Sequence, residues 1–252
     1  MYEEHPVFNS PPLDAVLWRY MDFTKYVSLL EKQALFFSAA DELGDPFEGS
    51  LSKITEVVRL AQFKEHFPED DDHSIKQMHR NLAHWLKKHR AFTLISCWHE
   101  NTHESEAMWR LYAREKDGIA IKTDFDLFKN SFTCSESIYI GKVSYIDYMR
   151  DWIPDGNTFY PFLHKRKSFM HEQEVRAISD RGSPQDEVYQ KLRDKDLTGV
   201  YYEVDLSLLI KKVIVAPFAP DYFLELVKSV TKRYNFNFPI VKSTQADDPT
   251  WG

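Results

Sequence analysis

The residues with most chemical potential lie in Glu172-Gln-Glu-Val-Arg176. In an extended chain, side chains alternate, so Glu172, Glu174 and Arg176 would share one face. Such a row could hold a ribose hydroxyl, stabilise a cation or accept a proton. The plain alternative is a solvated strand face whose charges pair locally for little energy. Lys165-Arg-Lys167 just upstream suits either reading. Arg19, in Leu17-Trp-Arg-Tyr20, is flanked by large aromatics and reads as an anion clamp or a stacked structural residue. In Gly44-Asp-Pro-Phe-Glu48, Asp45 before proline signals a turn and contributes one carboxylate, Glu48 another. Phe47 is expected to plug this loop into the core. Trp109 and Tyr112, in Met108-Trp-Arg-Leu-Tyr112, read as core or as a stacking surface.

His99-Glu100-Asn101-Thr102-His103 matches the zinc spacing H-E-x-x-H, and so defines a third reading, zinc-dependent hydrolysis. That spacing works only on a helix, whereas here the motif follows directly from a strand and sits among polar residues. A strand-to-helix loop is the expectation, with no metal. Cys97 has only His99 nearby as a base and lies in an apolar run, so it reads as a buried thiol. No nucleophile elbow, G-x-G-x-x-G or Walker A sequence occurs.

The elements that must position these residues follow from periodicity and turn chemistry. Strands are expected at 16–20, 35–38, 92–98, 118–122, 142–146, 173–178, 201–204, 213–215 and 238–241. Helices are expected after a cap at Asp22, in two pieces over 54–90 separated by an acidic turn, and at 104–114, 159–170 and 222–234. Met108, Leu111 and Tyr112 should share the buried side of the 104–114 helix. Strands and helices mix without a strict βαβ rhythm. The expected fold is therefore α+β, a mixed and mostly antiparallel sheet flanked by helices. It forms a single domain over 1–252, with an N-terminal arm at 1–12 and a helical insertion at 54–90.

Of the 252 residues, 43% are hydrophobic and 15% aromatic, enough for a substantial core. The net charge of -7 argues against a protein that holds nucleic acid stably. Two cysteines and no leader or membrane-length apolar run give the expectation of a cytoplasmic protein.

Taken together in this order, several stretches resemble the bacterial domain-of-unknown-function family twenty-nine seventy-one. They are Leu17-Trp-Arg-Tyr20, the stretch from Leu35 to Glu48, Ser96-Cys-Trp98, Met108-Trp109, Gly118-Ile-Ala-Ile121, the stretch from Phe169 to Arg176, and Val213-Ile-Val-Ala-Pro217. Gly44 departs from the asparagine expected before Asp-Pro. The order of an early strand arginine, a second strand with serine and a late Glu-x-Glu strand is also similar to ADP-ribosyltransferases. That likeness implies a split sheet gripping NAD without a Gly-rich loop. Arg19 would hold the pyrophosphate or adenylate ribose, Ser38 would lie near the nicotinamide, and Tyr20 or Tyr112 would stack on it. Glu174, or Glu172, would stabilise the oxocarbenium-like ribose, with Arg176 keeping the carboxylate ionised. Asp45, Glu48 and Trp109 complete the expected pocket.

The leading functional expectation is thus an NAD-consuming enzyme, transferring ADP-ribose to a macromolecule or hydrolysing NAD in an antiviral or toxin role. The alternative is a non-catalytic sensor or interaction module binding a small anionic ligand or a protein partner. Both depend on Arg19, Asp45, Glu48 and Glu174 facing one cavity.

Overall fold

The computed structural model describes residues 1–113, 116–182, 198–247 and 249. The chain is α+β. Its strands are β1 (Val16–Asp22), β2 (Ala34–Ala39), β3 (Thr93–Glu100), β4 (Gly118–Asp124), β5 (Tyr139–Lys142), β6 (Ser144–Ile146), β7 (His164–Arg166), β8 (Glu174–Asp180), β9 (Gly199–Glu203), β10 (Lys212–Val215) and β11 (Ile240–Lys242). Its described helices are α1 (Phe23–Lys32), α2 (Lys53–His66), α3 (Asp72–His89), α4 (Glu106–Tyr112), α5 (Phe125–Asn130), α6 (Leu206–Leu209) and α7 (Asp221–Arg233).

Among the described residues nine strands form one mixed sheet, running β11-β10-β4-β1-β3-β2-β9, with β8 on β3 and β5 on β8. All of its pairings are antiparallel except β10 with β11. Strands β6 and β7 pair in parallel outside it.

The centre of the sheet is β3. One edge pairs with β8 from Thr93 to His99. The other edge forks: β1 pairs at His99 and Glu100, while β2 pairs at Leu94 and Ile95. Between these points β3 has no backbone pairing on that side among the described residues, and the Arg19 side chain reaches across to Ser96 Oγ and Phe36 O. Residues opposite each other in antiparallel strands share a face. One face therefore carries Trp18, Tyr20, Cys97, His99, Glu174 and Arg176; the other carries Leu17, Arg19, Met21, Ser96, Trp98, Val175 and Ala177. On the second face Trp98 packs on Phe128 of α5, ring centroids 4.4 Å apart.

Local chemistry explains several boundaries. Asp22 caps α1 by accepting from Lys25 N at 2.8 Å, as read from sequence. The helical pair at 53–89 follows caps at Ser52 and Asp71, with the acidic turn between. The arm is ordered: Tyr2 bridges to Ile138, and Phe8 packs in a small core with Phe159 and Phe162. Chain from 1 to 12 is thus tied to the body on both apolar and backbone grounds.

Three expectations are corrected. Residues 159–170 are not a helix. Pro161 opens a short 3-10 turn, then β7 pairs with β6, then a second 3-10 segment runs from Lys167 to Glu172. The strand expected at 142–146 breaks in two. At Val143 the chain donates to Glu174 O, leaves β8 and pairs with β7 instead. In α4, Met108 and Trp109 are buried, while Leu111 and Tyr112 are exposed. Arg114, expected to end that helix, lies outside the described residues.

Candidate functional site

A buried charge cluster forms on the first sheet face. Strand β8 supplies Glu174 and Arg176, with Arg176 fully buried. The loop after β2 brings in Asp45 and Glu48, both buried. Gly49 permits this approach: it has φ +71, and a Cβ there would come within 2.5 Å of the Phe162 ring. Strand β7 delivers Lys165, and the following turn delivers Glu172.

Arg176 spends all five of its N–H donors. Nη1 donates to Glu48 Oε2 and Phe162 O, each at 2.7 Å. Nη2 reaches Glu48 Oε1 at 2.8 Å and Glu174 Oε2 at 3.1 Å, and Nε reaches Glu174 Oε1 at 2.8 Å. Lys165 Nζ sits among three carboxylates, 2.5 Å from Glu172, 3.1 Å from Glu174 and 3.5 Å from Glu48. Tyr112 closes the outer side, its hydroxyl donating to Glu172 Oε1 at 2.5 Å while the residue as a whole stays 47% exposed. Tyr145 OH accepts from Glu174 N at 2.8 Å. Beside the cluster Asp45 pairs with Arg166 at 2.9 Å.

Glu48, Glu172 and Glu174 carry three negative charges against the two positive charges of Lys165 and Arg176, which leaves one net negative charge. Burial by itself would raise the Glu174 pKa, but Arg176 and Lys165 outweigh it and hold the carboxyl at about 2. Burial and the neighbouring Glu174 push the Cys97 thiol well above its ordinary value, so it is protonated at neutral pH and makes no thiolate nucleophile. Tyr112 is likewise raised, by burial and by its bond to Glu172.

The structure brings Asp45, Glu48, Glu172, Glu174, Arg176 and Tyr112 together, but not Arg19. Arg19 projects from the opposite face into the fork. Its Nη1 donates to Ser96 Oγ, its Nη2 donates to Phe36 O at 2.9 Å, and its guanidinium lies 5.7 Å from the Trp98 ring centre. No carboxylate pairs with it among the described residues, and burial lowers its pKa to about 10. The single hollow expected to hold Arg19 with the late acids is therefore not formed. β-strand alternation decides this: even-numbered Trp18 and Tyr20 face the cluster, and odd-numbered Arg19 cannot.

Other expected residues are placed differently. Glu172 does not share a strand row with Glu174. It ends a 3-10 turn, and Gln173 at φ 40 carries the chain into β8. The row is deeply buried, so the solvated-face alternative also falls. Tyr20 is buried edge-on to Trp109 at 5.0 Å, and its hydroxyl accepts from Ser105 N at 2.9 Å. Trp109 Nε1 donates to Glu104 Oε2 at 3.1 Å. Both rings are thus committed to packing rather than offered to a ligand. Ser38 is on the cluster's face, but its hydroxyl turns to Ala39 O at 3.3 Å. Phe47 does not plug the core: it is 37% exposed, between Tyr148 and Arg166.

His99 and Glu100 end a strand and point to opposite faces, so the helical zinc geometry does not arise. His99 Nδ1 donates to Glu172 O at 2.5 Å, and Asn101 approaches Nε2 at 3.3 Å. Burial lowers its pKa, which fixes a neutral ring steadying the Glu172 turn. No group of three His, Cys, Asp or Glu able to hold a metal occurs among the described residues.

Lys165 is the hub, a role that the basic triplet Lys165-Arg-Lys167 does not single out in the sequence. The triplet looks like an exposed helix face, and only the short strand β7 turns Lys165 inward. No described helix is long and apolar enough to cross a membrane. No family model, curated protein or solved structure matches the chain.

Proposed function

We propose that the outer edge of the cluster, at Glu172 and Tyr112, receives a positively charged group, and that the chain consumes NAD by hydrolysis or ADP-ribosyl transfer. The supporting observation is the one unbalanced negative charge of the buried network, in which Glu172 is itself buried and Tyr112 beside it is half-exposed. A buried carboxylate without full compensation is costly, and a cationic group offsets that cost. The nicotinamide of NAD carries such a charge. As its bond to ribose C1′ breaks, nicotinamide leaves with the bonding electron pair and the charge passes to the ribose. A fixed carboxylate stabilises that state. An acceptor oxygen then bonds to C1′ and gives up its proton.

In this reading Glu172, not Glu174, is the catalytic carboxylate. Glu174 is fixed by three bonds from Arg176 and Lys165 and positions Lys165, whereas Glu172 accepts one bond at each oxygen, from Tyr112 and Lys165, and stands nearest the exposed Tyr112. Arg19 has no part in it. Calorimetric titration with NAD and an assay for released nicotinamide test the reading together. Saturable binding with turnover is expected, and Glu172→Gln should cut turnover by about 100-fold with the fold retained. Absence of both binding and nicotinamide release sinks it. Binding without turnover assigns the protein instead to a non-catalytic binding module, which the complete pairing of Glu48 and Glu174 favours.

A further inference from the structure

A concavity lies on the side of the 44–52 loop away from the charge cluster, against the helical pair. It encloses about 540 Å³, within the range of about 300–1,000 Å³ typical of small-molecule sites. Phe47, Leu51, Leu86 and Tyr148 give it apolar walls. Lys53, Lys87 and Arg90 bring three positive charges to it and Glu56 one negative, a local balance of +2 on a chain whose net charge is -7.

The basic groups are unequally engaged. Lys53 pairs with Glu56 at 2.6 Å. Arg90 donates from Nη2 to Ala40 O at 3.2 Å and has a buried Nε without a partner; no carboxylate pairs with it among the described residues. Lys87 is exposed and likewise lacks an acidic partner there. His79 also lines the space with a buried Nε2 that has no partner among the described residues, and burial lowers its pKa, so the ring is neutral. Two unneutralised cations beside an apolar wall leave a surface that is incomplete both electrostatically and hydrophobically.

We infer that this pocket binds an amphipathic organic anion: an aromatic or aliphatic body against Phe47, Leu86 and Tyr148, and a carboxylate, sulfonate or phosphate head at Lys87 and Arg90. The site is separate from the Glu172 rim, because the loop turns Glu48 into the cluster and leaves Phe47 and Gly49 facing the pocket.

The probe is 8-anilinonaphthalene-1-sulfonate, titrated into the full chain and followed by fluorescence. One saturable site is expected. The uncharged analogue N-phenyl-1-naphthylamine should bind more weakly. Lys87→Glu should weaken sulfonate binding about tenfold by reversing the charge at the head group. Ala83→Trp should abolish it by filling the pocket. Both positions are exposed on α3, and circular dichroism checks that the fold is kept. Competition by decanoate assigns an aliphatic carboxylate as the natural class, and competition by adenosine monophosphate assigns a nucleotide. The inference is overturned if no single site saturates, if both variants bind the sulfonate as the native chain does, or if neither competitor displaces it.

Discussion

Arg176 and Arg19 stand on opposite faces of the same sheet, and nothing in their immediate sequence says how differently they are used. Arg176 is surrounded by acids and has every donor satisfied. Arg19 meets a hydroxyl, a backbone carbonyl and an indole ring, with no acid among the described residues. One cation is the keystone of an ion network, while the other plugs a fork between strands. A buried guanidinium is therefore not by itself a site; its partners decide.

The largest expected effect comes from removing the keystone. Arg176→Met leaves Glu48 and Glu174 buried with only Lys165 to balance them. Breaking a buried network by deleting one partner costs about 3–5 kcal/mol. Urea unfolding should show a loss of that size. A loss below about 1 kcal/mol would mean the acids simply take up protons and the network is not cohesive.

The acid limb of stability sharpens the same contrast. Glu174 falls from its ordinary value of 4.5 to about 2 in the folded chain, so the unfolded state binds more protons in that window. Its contribution is complete above pH 4.5 and disappears as pH falls toward 2. Glu174→Gln should flatten the stability profile over that range. An unchanged slope would show that the ion pairs contribute nothing to acid sensitivity.

How far the molecule was legible follows from these same residues. Strand positions and the α+β class were readable, because β-branched and aromatic runs bounded by turn residues carry a period-2 signal. Sequence alone leaves open whether Asp45, Glu48 and the late acids converge; in the structure Arg176 joins Glu48 to Glu174, and Asp45 lies beside them on Arg166. What failed was facing and local conformation. Assigning Arg19 to a face requires the register of β1 against β3, which two pairings at the strand's end fix and no local pattern reveals. Lys165 is not singled out in the sequence because Phe162, Leu163 and Phe169 mimic an amphipathic helix. Pro161 and the pairing of β6 with β7 override that tendency.

A smaller effect tests the rim. Tyr112→Phe removes one hydrogen bond to Glu172 and should cost about 0.5–1.5 kcal/mol by urea unfolding. If the rim serves catalysis, the same variant should lower nicotinamide release more than its NAD affinity falls. Equal losses would mark Tyr112 as a purely structural partner.

The smallest expected change is at the fork. Arg19→Met removes a cation that is held by two hydrogen bonds and has no opposite charge beside it among the described residues. The lost bonds to Phe36 O and Ser96 Oγ destabilise, whereas relief of the buried charge and added apolar contact with Trp98 stabilise. These terms oppose each other at about 1 kcal/mol each, so unfolding free energy should stay within about 1 kcal/mol of the native chain. Any NAD affinity should also be unaltered, since the side chain faces away from Glu172. A collapse comparable to that of Arg176→Met would show that the fork needs the guanidinium to hold β1 and β2 on β3. A selective loss of NAD binding would return the early arginine to the site from which strand register removes it.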